Sequence, residues 1–160
     1  MENERYYFPF NSQSLAHYMG SGCIKPGNYF SNKPKDLQDH YYNFLLLTTH
    51  FGTVHTDCCM EIILTKEEIK ELIDIHNGFF LYGRPLPVSR IKGIYFNSQA
   101  QVEQTVANIR MSTAFIPKWL IHVTKGFDQI AVKLPPALLP TTESYIDQAK
   151  RFDQYLGGFS

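Results

Sequence analysis

The sequence predicts an α+β fold: one compact domain with a mixed, largely antiparallel sheet and three to four helices. Three observations predict it. Short apolar runs of strand length recur between turn signals, as in "NFLLLTT", "CMEIIL", "FFLY" and "IKGIYF". Capped amphipathic segments are scattered among them without regular βαβ spacing. The chain has 160 residues, 44% hydrophobic and 14% aromatic, enough to bury a core without disulfide or metal staples.

The elements follow in order. Tyr6 to Phe10 reads as a strand, after which Asn11 or Ser12 can cap a helix. Leu15, Tyr18 and Met19 fall at i, i+3, i+4 and form one apolar stripe. Gly20 and Gly22 stop that helix, Gly22 standing where a left-handed cap is favoured. "KPGNYFSNKPKD" reads as a loop, because prolines, glycine and asparagines crowd it. Residues 43–49 and 59–64 read as strands, the first buried on both faces.

Thr65 and Glu68 have capping-box spacing, and Ile69, Leu72, Ile73 and His76 continue at helical spacing to Asn77-Gly78. "FFLY" and "IKGIYF" are strands joined by "GRPLPVSR", whose prolines oppose regular ladder pairing. Ser98 and Gln101 repeat the capping logic for a helix reaching about Met111, and "WLIHV" and residues 128–134 read as further strands. "LPPALLP" is a stiff connector, and a final helix carries Tyr145, Ala149, Phe152 and Leu156 on one face. These features divide the chain into an α+β recognition domain over 1–134 and a connector with amphipathic helix over 135–160. The second part reads as the start of a further domain of the same polypeptide.

Charge excludes some functions. Lys plus Arg and Asp plus Glu are 15 each, so no global field steers the chain to nucleic acid or anionic membrane, and such a site must be a local patch. Three cysteines, two of them adjacent (Cys58, Cys59), make a poor disulfide framework and favour an intracellular, cytoplasmic protein. The N-terminus lacks signal-peptide regions. His50, His55, Asp57, Cys58 and Cys59 are zinc-ligand types, but no paired spacing accompanies them, and no metal site is expected. No motif surrounds any cysteine, and "GSGCIKPG" departs from the phosphate-binding pattern because its glycines follow a helix.

Two segments could touch phosphate. Lys25, Lys33 and Lys35 interleave with Tyr29 and Phe30 on the aromatic loop, and Arg84, Arg90 and Lys92 surround the proline-rich connection. Cations hold a nucleic-acid backbone and rings stack bases. With Asn11 and Asn28 these give the candidate ligand-binding set: Asn11, Lys25, Asn28, Tyr29, Lys33, Lys35, Arg84, Arg90 and Lys92.

"NSQSLAHYMGSGCIKP", with Leu15, Tyr18, Met19 and Gly22, and "PLPVSRIKGIYF", with Pro87, Ile91 and Ile94, are similar to the opening helix and later turn-strand unit of DarT-like ADP-ribosyltransferases. The resemblance covers about a third of the chain. It implies that family's scaffold and a dinucleotide under the loop. The glutamate the family places ahead of its late strand has no counterpart in "NGFFLYGRPLP"; Glu61 and Glu103 are the nearby carboxylates, the latter in "QVE" within an expected helix.

The expected function is therefore a non-catalytic recognition or regulatory domain, at the N-terminus of a larger microbial, defence-related protein, binding nucleic acid or a nucleotide without a cofactor. Two alternatives stand beside it: an ADP-ribosyltransferase-like enzyme using NAD, and a protein-interaction or oligomerisation module built on exposed aromatics.

Overall fold

A computed structural model describes residues 4–30, 33–41, 43–51, 56–75, 77–111, 114 and 116–124. Strand β1 (Glu4–Phe10) lies at the centre of a seven-stranded sheet. The other strands are β3 (Leu45–Thr48), β4 (Cys58–Leu64), β5 (Ile73–Asp74), β6 (Phe79–Tyr82), β8 (Ile91–Phe96) and β9 (Ile121–Val123). Their order is β5-β6-β3-β1-β4-β8-β9. Every pair is antiparallel except β8 with β9, which is parallel. A parallel pair needs a crossover, and α3 (Gln99–Met111) supplies it. The α+β class expected from the sequence is present, and the described residues form a single domain.

Alternation along β1 sets the two faces. Tyr6, Phe8 and Phe10 enter the main core with Leu45, Leu47, Met60, Ile62, Ile94 and Phe96. Helix α1 (Leu15–Ser21) closes that core with Leu15 and Tyr18. The rings of Phe8 and Tyr18 meet edge-on at 5.5 Å. Gly22 ends α1 at φ 77°, the left-handed cap its position implies. On the opposite face, the 3-10 turn Leu37–Tyr41 and Phe44 pack on Leu46, Phe79 and Leu81 as a second cluster.

Three elements differ from expectation. Helix α2 covers only Lys66–Lys70, although Thr65 and Glu68 form the full capping box. Ile73 leaves the helical register to pair with Leu81 of β6, because a strand edge offers it a ladder and a cluster at once. "GRPLPVSR" does pair: β7 (Leu86–Pro87) joins β2 (Cys23–Ile24) in a separate two-stranded sheet. Its two residues leave the prolines at the ends, where no ladder donor is required. At α3, Gln101 N donates to Ser98 Oγ, but the Gln101 side chain reaches Asn97 N, one residue earlier than a standard box. The strand expected over 128–134, the connector and the final helix lie outside the described residues.

No helix among the described residues is long and apolar enough to cross a membrane. The cap at Thr65 accepts from Glu68 N at 3.2 Å. Thr65→Ala should cost about 1 kcal/mol, the usual worth of such a cap. A Thr65→Ser variant that keeps the hydroxyl should lose far less in the same urea titration.

Candidate functional site

The loop that sequence patterning marks as a ligand surface divides into two parts. The β2–β7 pairing sets Cys23 against Pro87 and Ile24 against Leu86, so the loop's first residues run beside the proline-rich connection. Lys25 is half-buried there, and Tyr29, Lys35 and Lys92 are exposed. Asn11 is half-buried and its backbone N–H donates to Asp36 Oδ2 at 3.0 Å. The Asn28 side chain lies outside the description.

Lys33 corrects the expectation of an outward cation. Its side chain is 1% exposed, and its Nζ lies 2.9 Å from Asp39 Oδ2 and 3.5 Å from Asp36 Oδ1. It also donates to Pro34 O at 3.0 Å. A buried ammonium demands such partners, and the two aspartates supply them. Burial pushes the Asp36 carboxyl above its ordinary range, with Asn11 N–H and Lys33 acting against that rise. Gly27 sits against Asp39: a Cβ there would lie 2.2 Å from Asp39 Oδ1.

The arginines are also engaged. Arg84 pairs with Glu71 at 2.8 Å across the surface. Arg90 pairs with Glu68 and lies within 3.5 Å of Ile63 O. Burial raises the Glu68 carboxyl, yet Arg90 and the Thr65 hydrogen bonds outweigh it and hold the group low. Burial thus withdraws Lys33 from the solvent-facing cations of the candidate set. Of that set's cations, Lys33, Arg84 and Arg90 are ion-paired, and Lys25, Lys35 and Lys92 have no ion pair among the described residues.

A different constellation stands on the second sheet face. Register places Tyr7 of β1 opposite Glu61 of β4, Glu61 opposite Gly93, Cys59 opposite Tyr95, and Tyr95 opposite His122 of β9. Side chains of paired residues share a face. Glu61 is 7% exposed in mid-sheet. Its Oε2 forms an ion pair with Arg5, 3.2 Å from Nε, and its Oε1 accepts from the Tyr95 hydroxyl at 3.4 Å. Arg5 itself has a side chain 72% exposed.

Aromatic rings line the approach. Tyr7 meets Phe51 edge-on at 5.3 Å, and Phe51 meets Tyr95 edge-on at 5.0 Å. His122 stacks on Tyr95 at 4.9 Å and 18°. Gly93 makes this stack possible, because a Cβ there would lie 3.1 Å from both rings. The β4–β8 register shifts between Glu61 and Ile62: Glu61 faces Gly93 while Ile62 faces Ile91. Such an irregularity re-aims side chains where a strand serves a site. Burial, then the Glu61 charge, raise the Tyr7 and Tyr95 phenols above their ordinary value, which keeps both hydroxyls protonated as donors.

The chemistry available here is that of an acceptor carboxylate held in poor solvent beside stacking rings. It can stabilise a developing positive charge. Glu103, the other carboxylate singled out in the sequence, is exposed on α3. It sits at a groove of about 800 Å³ whose apolar residues include Val102, Val106 and Ile121. Arg110 and Lys118 line the same groove.

Residues 5–123 match the 2-component system ADP-ribosyltransferase domain, well over half of the chain. The chain belongs to that family. It spans β1 to β9, so the Arg5–Tyr7–Glu61–Tyr95–His122 face lies wholly within the family's domain. The similarity of the first helix and the later turn-strand unit to ADP-ribosyltransferases agrees with the assignment. A comparison with curated proteins gives no match.

Sequence reasoning passed over this face as a site. The available signal was a single glutamate inside the otherwise apolar "CMEIIL", a charge that a buried strand tolerates only with partners.

Proposed function

We propose that this domain binds NAD on the second face of its sheet and transfers ADP-ribose, with Glu61 as the carboxylate at the reacting carbon. The supporting observation is Glu61 itself: a nearly water-free carboxylate, oriented by Arg5 and Tyr95, among four aromatic or imidazole rings in an ADP-ribosyltransferase domain. In the transfer, the bond between ribose C1′ and the nicotinamide nitrogen breaks, and its electron pair leaves with nicotinamide. The sugar gathers positive charge, as in glycoside chemistry, and an acceptor closes the new bond at C1′. Glu61 stabilises that charge, and the rings of Tyr7, Phe51 and Tyr95 offer apolar faces to the nicotinamide. Arg5 and the Tyr95 hydroxyl fix the carboxylate so that little reorganisation accompanies the reaction.

Calorimetric titration with NAD tests the reading. The wild-type chain should bind, and Tyr95→Ala should weaken binding at least tenfold through lost stacking. Tyr29→Ala, on the first loop, should leave it unchanged. Equal loss from both variants, or no heat from the wild type, would remove the assignment.

Recognition of nucleic acid is a second reading, favoured by exposed Tyr29 with Lys25 and Lys35 on the first loop. Few free cations imply a shallow salt slope in an oligonucleotide shift assay. Lys25→Ala with Lys35→Ala should abolish that shift; binding indifferent to both removes the reading.

A further inference from the structure

Helix α3 turns one side into the main core, where Val102 and Ile109 are 6% and 1% exposed. Its adjoining side opens on the groove of about 800 Å³. Gln99, Glu103, Val106 and Arg110 follow at i, i+4, i+7, i+11 along that wall. From Gln99 to Arg110 the wall runs about 16 Å at the helical rise. Ile116, Lys118 and Ile121 line the groove from the following segment. Val106 and Ile121 are half-buried in it, and Arg110 and Lys118 have no ion pair among the described residues. Register pairs Ile121 with Ile94 of the core, and His122 with Tyr95 beside Glu61. Successive strand residues face opposite ways, so the groove and the Glu61 face lie on opposite sides of the sheet.

The chain itself carries a stripe of the same period. Tyr145, Ala149, Phe152 and Leu156, outside the described residues, recur at i, i+4, i+7, i+11. That spacing equals the spacing of the four α3 residues, and its helical length is the same, about 16 Å. Helices with such ridges pack side by side. Asp153 falls at the margin of the stripe, whereas Lys150 and Arg151 fall well away from it. An acid at that margin complements Arg110 and Lys118. The tether is short. Thr124 N donates to Phe96 O just after β9, so the chain leaves the sheet next to the groove. Residues 125–140 reach about 50 Å when extended, ample for a return. A tethered segment meets its site at high effective concentration. Residues 124–160 also lie beyond the span matched by the family's domain.

We propose that residues 141–156 dock as a helix on their own domain, seating Tyr145, Ala149, Phe152 and Leu156 in the groove between α3 and residues 116–121, with Asp153 facing Arg110 and Lys118. The contact braces β9, the edge strand that carries His122. It does not rest on the transferase reading.

Chymotrypsin digestion of the 160-residue chain tests the docking. Cleavage after Tyr145 and Phe152 should be at least tenfold slower in the chain than in a free peptide of residues 141–156. Ala107 is exposed and lines the groove. Ala107→Glu should therefore remove that protection without unfolding the domain. Arg110→Glu with Lys118→Glu should speed cleavage about threefold, the scale of exposed ion pairs, and adding Asp153→Arg should reverse the change. Cysteine pairing identifies the occupant. In a Cys23→Ser background, with Cys58 and Cys59 fully buried, Ala107→Cys and Ala149→Cys should join within one chain under mild oxidation. Gln104→Cys, which lines a separate cavity beside Ser12, should pair with Ala149→Cys at least tenfold more slowly. A chain cut as fast as the peptide, or equal pairing from positions 104 and 107, overturns the proposal. Disulfide-linked dimers in place of the monomeric product overturn it too, and assign the groove to a second copy.

Discussion

Lys33→Ala should lower unfolding stability by about 3–5 kcal/mol, the cost of stripping one partner from a buried ion pair. The Lys33, Asp36 and Asp39 side chains are 1%, 0% and 10% exposed. Removing the ammonium leaves two carboxylates facing each other in poor solvent. Burial already pushes Asp36 up, and the loss of Lys33 removes a force that lowers it. The damage should spread, because Asp36 also holds Asn11 N, Ser14 Oγ and Gln38 N. Lys33→Met, which keeps the stem and removes the charge, should cost nearly as much as alanine. Restoring neutrality with Asp36→Asn and Asp39→Asn in the Met background should recover a large part. Denaturant midpoints measure all of these, and a Lys33→Ala loss below about 1 kcal/mol would mean that Lys33 is solvated in solution.

Glu61→Gln should reduce NAD turnover by about 10²–10³-fold, the size expected when a preorganised electrostatic group is removed from a developing charge. The substitution keeps volume and one acceptor oxygen, which can serve the Tyr95 hydroxyl. Arg5 loses an ion-pair partner, but its exposed guanidinium makes that loss small. Folding stability should therefore change by about 1 kcal/mol or less. The two readouts must separate: a rate collapse with an unmoved melting point marks a group acting at the reaction. A drop in both would mark Glu61 as a structural carboxylate holding β4 to β1 and β8.

Much of the fold is written locally. The runs "RYYFPF", "CMEIIL", "FFLY" and "IKGIYF" mark β1, β4, β6 and β8 because short apolar runs of strand length between turn signals are a local signal. The caps at Gly22 and Thr65 are legible because they satisfy backbone groups only a few residues away. What local pattern cannot carry is partner choice across the chain. Ile73 fits a helical stripe by spacing, and only the presence of Leu81 makes it a strand residue. The two-residue pairing of β2 with β7 has no periodicity to announce it.

The candidate site was harder to read for the same reason. A lysine among prolines and asparagines looks solvated, and nothing local shows that Asp36 and Asp39 enclose Lys33. Arg84 and Arg90 look like free cations until Glu71 and Glu68 are placed beside them. Glu61 is a lone charge in an apolar strand, but Arg5, Tyr95 and His122, which make a site of it, lie far from it in sequence. The satisfaction of Pro9 O by Gln38, 29 residues later, follows only from the fold.

Release of nicotinamide from NAD by the purified wild-type chain, followed by chromatography beside Glu61→Gln, decides whether Glu61 acts at the reacting carbon. Wild type should release it steadily, with ADP-ribose appearing on an acceptor or in water in equal amount, and the variant should stay near background. Release at the buffer rate by a folded wild-type chain, or equal rates from the two proteins, would rule out that role.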